Sequence, residues 1–266
     1  MSFSVQGKTA IVTGAANGIG LSIARHLADR GANVMCADSD EKKLVSELGD
    51  EPEDGEIRTF GGDLRQRLTI ANLISATIDA FDQIDILVNA SRMLTTTDAL
   101  DVEDSSVQTL LDQNLMTALQ LSQHVARRMI RQAEGQEEGQ VGSIINFSSI
   151  AANQSHPELM GYSIAAAAVQ QMTRSMALVL APHRIRVNAI SFGSVMSGSL
   201  QAAVADNREW RDDIRQHTPL GRIAAPSELS EAVQFLAAES SSFMTGEVLV
   251  VDGGRSLLDA VSAPAH

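Results

Sequence analysis

Lysine is scarce in this chain: of 266 residues only Lys8, Lys42 and Lys43 carry an ammonium side chain, all in the first fifth. Tyrosine, tryptophan and cysteine occur once each, as Tyr162, Trp210 and Cys36. One cysteine excludes an internal disulfide, and its place in the apolar run NVMCA gives a buried, inert thiol that fits a reducing cytoplasm. The six histidines show no metal-ligand spacing, so no metal is expected. No stretch has the ~18 uninterrupted apolar residues of a membrane span. The N-terminal MSFSVQGKTAIVTG lacks the basic flank, long apolar segment and cleavage site of an export signal. A cytoplasmic location is therefore expected. Basic charge is short as well: 20 Lys and Arg against 33 Asp and Glu leave a net charge of -13. That balance repels phosphate backbones and anionic lipid, so neither nucleic acid nor membrane is an expected partner.

What is present is an alternation of short apolar runs with amphipathic stretches, the pattern of repeated strand-helix units around a parallel sheet. Seven strands are predicted, over Thr9–Thr13, Asn33–Asp38, Ile57–Gly61, Ile84–Asn89, Ser143–Phe147, Arg186–Ile190 and Val248–Val251. Helical spacing of apolar residues covers Ile19–Arg30, Leu64–Phe81, Ser105–Arg131, Tyr162–Leu180 and Ser227–Ala238. No composition shift divides residues 1–266, so one α/β domain is expected. The polar stretch RQAEGQEEGQ, residues 131–140, joins a helix to a strand and is expected as a solvated loop on the sheet edge away from any ligand crevice.

The segment TGAANGIG, Thr13 to Gly20, follows the first predicted strand and opens the first predicted helix. Glycines at Gly14, Gly18 and Gly20 permit a tight turn and close backbone approach, and a helix N-terminus beginning near Asn17 and Ile19 directs unpaired N–H groups at a pyrophosphate. Asp38 ends the second strand, 18 residues beyond Gly20, where its carboxylate can accept hydrogen bonds from both hydroxyls of an adenosine ribose. It would repel a 2′-phosphate, and Asn17 offers no compensating charge, so NAD is expected in preference to NADP.

The set Thr13–Gly20, Asp63, LVNA at Leu87–Ala90, Asn114, INFSS at Ile145–Ser149, Tyr162, RVNAISFG at Arg186–Gly193 and TGEVLVVDGG at Thr245–Gly254 resembles the classical short-chain dehydrogenases/reductases. The resemblance spans essentially the whole chain. It implies a single-domain Rossmann fold, a doubly wound sheet of seven parallel strands flanked by helices, and bound NAD(H). It also implies hydride exchange between an alcohol and a carbonyl carbon of a small-molecule substrate. On the same resemblance Ser149 would hydrogen-bond the substrate oxygen and Tyr162, thirteen residues on, would exchange its proton. Asn114 would anchor the water of a proton relay. Asp63 and Leu64 would contact adenine, Asn89, Ala90 and Ser91 would line the cofactor, and Val195 and Ser197, after Gly193, would meet the nicotinamide amide. Residues 193–226 would form a substrate lid, and a homo-oligomer, dimer or tetramer, is implied.

One position departs sharply. The family's Y-x-x-x-K motif has Ala166 as its fourth residue after Tyr162. Residues at i and i+4 share a helix face, so a lysine there would reach back toward the phenol, and Ala166 cannot. Removing a charge ~5 Å from a phenolate forfeits roughly 1 kcal/mol in water and ~3 kcal/mol at an effective dielectric of 20. Alcohol oxidation, which needs the phenol as a base, loses most; carbonyl reduction can still use it as an acid. The family's N-N-A-G reads Asn89-Ala90-Ser91-Arg92 here, its P-G turn reads Phe192-Gly193, and its usual Thr at the nicotinamide position is Ser197. Arg92 is the one nearby cation. An arginine leaving a loop is ordinarily solvated, which is the expectation for it; replacing the lysine's field or clamping an acidic substrate are the alternatives. His156 is expected as a surface or polar-wall residue, and Trp210 either covers the substrate or packs the lid. Two functions stay open: an NAD-dependent oxidoreductase made slow or atypical by Ala166, and a noncatalytic NAD-binding subunit.

Overall fold

The computed structural model describes residues 3–49 and 57–259. Seven parallel strands form one sheet: β1 (Thr9–Thr13), β2 (Asn33–Asp38), β3 (Ile57–Gly61), β4 (Ile86–Asn89), β5 (Gly142–Ser149), β6 (Ile185–Phe192) and β7 (Val248–Val251), in the order β3-β2-β1-β4-β5-β6-β7. The chain winds outward from β1 in one direction and from β4 in the other, which leaves a crevice above the carboxyl ends of those two strands. Side chains alternate across the sheet. Ala10 and Val12 of β1 face one apolar layer and Ile11 the other; Val34 and Cys36 of β2 oppose Met35 in the same way.

The helices α1 (Gly18–Asp29) and α9 (Pro226–Ala237) cover one face through Ile23, Leu27, Val233 and Leu236. The other face is covered by α3 (Arg67–Phe81), α5 (Thr117–Gln132) and α6 (Met160–Leu180) through Ile70, Leu73, Leu121, Val125, Met129 and Leu180. The remaining helices are α2 (Glu41–Leu48), α4 (Ser106–Leu110), α7 (Gly198–Asp206) and α8 (Arg208–Gln216). Residues 157–183 are long and apolar enough by composition to cross a membrane. Here that stretch contains α6, which packs against β5 and β6 and buries Ala165, Val169, Met172 and Ala177.

Several boundaries differ from the sequence expectation for physical reasons. β4 starts at Ile86, not Ile84, because Asp85 turns its side chain back to accept the Thr9 N–H at 2.8 Å. α3 starts at Arg67, not Leu64, because residues 63–66 form a turn closed by the Gln66 N–H on the Asp63 carbonyl. The single helix predicted over 105–131 is broken: between α4 and α5 lies a wider π turn, Leu111–Met116, whose exit carries the Thr117 hydroxyl on the Asp112 carbonyl at 3.0 Å. The polar stretch after α5 lies at the amino edge of the strands, where Arg184 donates to the Gln136 and Gly139 carbonyls.

Candidate cofactor groove and active site

β1 runs into the glycine turn and α1 rises from it. Gly14 has φ +69°, and a Cβ there would meet Ser91 Cα at 2.9 Å. A Cβ on Gly20 would collide with the Gly14 carbonyl oxygen, so the start of α1 can lie on the turn only as glycine. The first turn of α1 has no acidic residue, and Asn17 gives it no side-chain cap. Its N–H groups and the positive end of its dipole are therefore left for an anion. A groove of about 430 Å³ opens here, lined by Gly14, Asn17, Ile19, Gly20, Asp38, Ala90, Ser91, Arg92 and Ser197 among others. Beyond Asp38 it continues into a smaller cavity of about 120 Å³ lined by Ser39, Asp63, Leu64 and Arg65.

The carboxylate of Asp38 is fixed at that end, with Oδ2 accepting from Ala16 N at 3.0 Å and Oδ1 from Asp40 N at 3.0 Å. Asp63 is gripped by Arg65, whose Nη2 and Nε donate to it at 2.7 and 2.9 Å. That guanidinium holds the Asp63 carboxyl below the usual carboxylate range. An uncapped helix start, a floor that only glycine can form, and a carboxylate at one end together fit the diphosphate and ribose of a dinucleotide.

At the carboxyl end of β4 the chain leaves the sheet in a pinned segment. Thr13 Oγ1 accepts the N–H groups of Ala90 and Ser91 at 3.1 and 3.0 Å. Asn89 does not face the groove. Its amide donates to Ser122 Oγ and Asn146 Oδ1 at 2.9 and 2.8 Å, and Asn146 in turn donates to Thr173, forming a buried ladder across β4, β5, α5 and α6. Asn114, carried on the π turn, uses its whole amide on Met93: Oδ1 accepts the Met93 N–H at 2.7 Å and Nδ2 donates to the Met93 carbonyl at 2.9 Å.

Arg92, between Ser91 and Met93, does not end in solvent as an exposed-loop arginine would. Its Nη1 donates to the Tyr162 hydroxyl at 2.5 Å, and its guanidinium carbon stands 4.4 Å from the centre of the Phe192 ring. Phe192 is backed edge-on by Phe147 at 5.7 Å. Tyr162, 5% exposed, sits in the first turn of α6. Gly161 before it lets the helix close on α4, since a Cβ there would meet Thr97 Oγ1 at 2.9 Å and Leu110 Cδ1 at 3.0 Å. Ser149 ends β5 directly beside Phe192 of β6, and its hydroxyl accepts the Ala151 N–H at 3.2 Å. Its neighbour Ser148 donates to the Ala166 carbonyl at 3.0 Å, which docks α6 on the strand end. Ala166 is itself buried on the Tyr162 side of the helix.

Gly193 follows β6 where a Cβ would press on Ile150, and Val195 forms a parallel bridge with Ala224 ahead of α7 and α9. Ser197 caps α7 by accepting the Leu200 N–H at 3.4 Å and reaches the groove wall. Trp210 on α8 is half-exposed. His156 is exposed and caps the short turn before α6, its Nδ1 accepting the Glu158 N–H at 3.3 Å. Among the described residues no group of three or more His, Cys, Asp or Glu gathers as a metal site.

A family profile described as enoyl-(acyl carrier protein) reductase matches residues 14–256, nearly the whole chain. The chain is a short-chain dehydrogenase/reductase. It is 32% identical over 255 residues to the short-chain reductase protein NovJ of Streptomyces niveus, covering 94% of both chains. It is 31% identical over 257 residues to 2-dehydro-3-deoxy-D-gluconate 5-dehydrogenase of Escherichia coli, covering 95% of this chain and 97% of that one. Among solved structures it matches a short-chain type dehydrogenase/reductase from Mycobacterium ulcerans with TM-score 0.85 and 28% identity, over 96% of this chain and 91% of that one.

Within this short-chain dehydrogenase/reductase the sequence missed Arg65 and Gln113 as groove-lining residues and left Arg92 as solvated. Arg65 stands next to the predicted Asp63–Leu64 pair, so its place was within reach of the motif. The direction of the Arg92 side chain was not, because it depends on contacts with two distant elements, α6 and β6.

Proposed function

We propose that this short-chain dehydrogenase/reductase is an NAD(H)-dependent oxidoreductase that exchanges hydride between a secondary alcohol and a ketone or aldehyde. The observation that carries the reading is the Tyr162 hydroxyl, buried and held by Arg92, a cation that lines the glycine-floored groove, with Ser149 paired across the sheet to Phe192, on whose ring that cation rests. Bound NADH would supply hydride to the carbonyl carbon and NAD would take it back. In reduction Tyr162 gives its proton to the carbonyl oxygen; in oxidation it accepts the proton of the alcohol. The Ser149 hydroxyl donates to the same oxygen and fixes it against the phenol. Asp38 supports NAD over NADP, since the cation at that end, Arg65, is already paired with Asp63. A cytoplasmic location and a homo-oligomer belong to the same reading, the latter supported by the exposed Leu178 and Val179 on α6 and open to light scattering at micromolar concentration.

Ala166 favours a second reading, a noncatalytic NAD-binding subunit. An assay of the purified protein with NADH against ketones, aldehydes and sugar acids of the kind named for the Escherichia coli relative separates the two. NADH oxidation dependent on one of these carbonyls is the expected result. Tight NADH binding with no turnover across the panel would replace the enzyme with the binder.

A further inference from the structure

The groove's charge is arranged unlike anything the residues of α6 provide. Lys8 pairs with Asp85 at 3.7 Å at the amino edge of the sheet, and Lys42 and Lys43 lie at the start of α2, so no lysine serves Tyr162. Arg65 is spent on Asp63 at the adenosine end. Arg92 lines only the larger part of the groove, the end away from Asp63 and Leu64, and there it meets the phenol.

Its position is built. Ser91 on one side is tied to Thr13, and Met93 on the other is clamped at both backbone groups by Asn114. The guanidinium itself rests on the Phe192 ring, which Phe147 supports. A guanidinium presents five N–H donors in one plane, and the bond to Tyr162 uses one of them on a side chain that lines the groove. A dinucleotide with its adenosine end at Asp38 would extend its second nucleoside toward the part of the same groove that Arg92 lines.

We propose that Arg92 is the working cation of this site, holding the Tyr162 phenol and the ribose of the nicotinamide nucleoside from the end of β4. The inference rests on the oxidoreductase reading for the phenol and stands independently of it for the ribose. Positive charge fixed beside the phenol oxygen stabilises the negative charge that develops there when it takes a proton. The planar fork serves two oxygens at once, which a compact ammonium on a flexible stem does less rigidly.

The test measures binding as well as turnover. Affinities for NADH and for ADP, which lacks the nicotinamide nucleoside, are taken by calorimetry on the unmodified protein, Arg92→Ala, Arg92→Gln and the double variant Arg92→Ala with Ala166→Lys. The expected result is NADH binding weakened about 10-fold in Arg92→Ala and Arg92→Gln, with ADP binding unchanged. The double variant should recover NADH binding, because a lysine at that helix position reaches the same phenol and ribose by another route. With an accepted carbonyl, turnover should fall about 100-fold in Arg92→Ala and rise again in the double variant. A packing role alone would not be rescued from a different element. NADH affinity untouched by both single variants, or NADH and ADP affinity lost together, would overturn the proposal. If Arg92→Ala does not fold, Arg92→Gln alone decides the binding comparison. A protein that turns over no carbonyl yet loses NADH in Arg92→Gln would sink the oxidoreductase reading and keep the ribose contact.

Discussion

Asn114 holds Met93 by both backbone groups, its Oδ1 on the N–H at 2.7 Å and its Nδ2 on the carbonyl at 2.9 Å. The residue that this clamp positions is the neighbour, Arg92. Replacing Asn114 with Ala should therefore cost stability of about 1–2 kcal/mol and also loosen the guanidinium. Chemical denaturation reads the first effect and exchange of the Met93 amide the second. Asn114→Asp keeps the acceptor and loses the donor, so it should fall between Ala and the unmodified protein. Faster exchange in neither variant would mean that the segment is held elsewhere.

Asp38 lies where an adenosine ribose would be read, with Oδ2 on the Ala16 amide. NADH should bind more tightly than NADPH, and Asp38→Ala should narrow the gap by removing the repulsion toward a 2′-phosphate. Titration with both cofactors checks this. Equal affinity in the unmodified protein would remove the assignment to NAD.

Ala166→Lys in the otherwise unmodified protein should bring little gain, because its ammonium would arrive beside the Arg92 guanidinium and the two like charges repel. The double-mutant cycle over Arg92 and Ala166 should thus be strongly non-additive in kcat/KM. Additive effects would show that the two positions serve different oxygens.

Glu228, in the first turn of α9, accepts from both terminal nitrogens of Arg222 and from the Ala225 N–H, and its carboxyl is pulled down to about 2. A carboxyl with a depressed folded value contributes stability that is complete above its ordinary value near 4.5 and is lost as pH falls toward about 2. The pair is surface-exposed, so water screening limits the contribution to about 1 kcal/mol or less. Glu228→Gln should lower stability by that amount at pH 7 and flatten the stability curve across the acid window. Parallel curves for the two proteins would refute it.

Cys36 is fully buried in β2, and burial pushes its thiol up to about 12. Both effects suppress the reactive thiolate. A thiol reagent at neutral pH should leave the native protein unlabelled and modify one site after denaturation in urea. Rapid labelling of the native form would show that β2 opens far more readily than its packing implies.

The strands were legible because β-branched and aliphatic runs in a doubly covered sheet have no competing reading, and β1, β2, β3 and β7 fall on their predicted residues. The glycine turn was equally plain, since strand, turn and helix are contiguous in sequence. Asn89 was misplaced by a local argument: it lies beside Ala90 in the motif, yet strand alternation turns its amide toward Ser122 and Asn146. The π turn was hidden because the apolar pattern on either side is helical, and one extra residue leaves no mark in composition. Arg92 was hidden for a different reason. Its partners Tyr162 and Phe192 are 70 and 100 positions away, and sequence spacing carries no information about which way a long side chain leaves a loop.

The wide turn at Leu111–Met116 also sets an angular phase. An α-helix advances about 100° per residue, so one surplus residue rotates everything downstream by about that much relative to an uninterrupted helix. With the surplus in place, Leu110 points into the pocket of Tyr162 and Ala165, while Leu121, Val125 and Met129 point at the sheet. Shortening this stretch by a single residue should turn Asn114 and the buried stripe of α5 by about 100° against one another, so that keeping Asn114 on Met93 and keeping α5 on the sheet become alternatives.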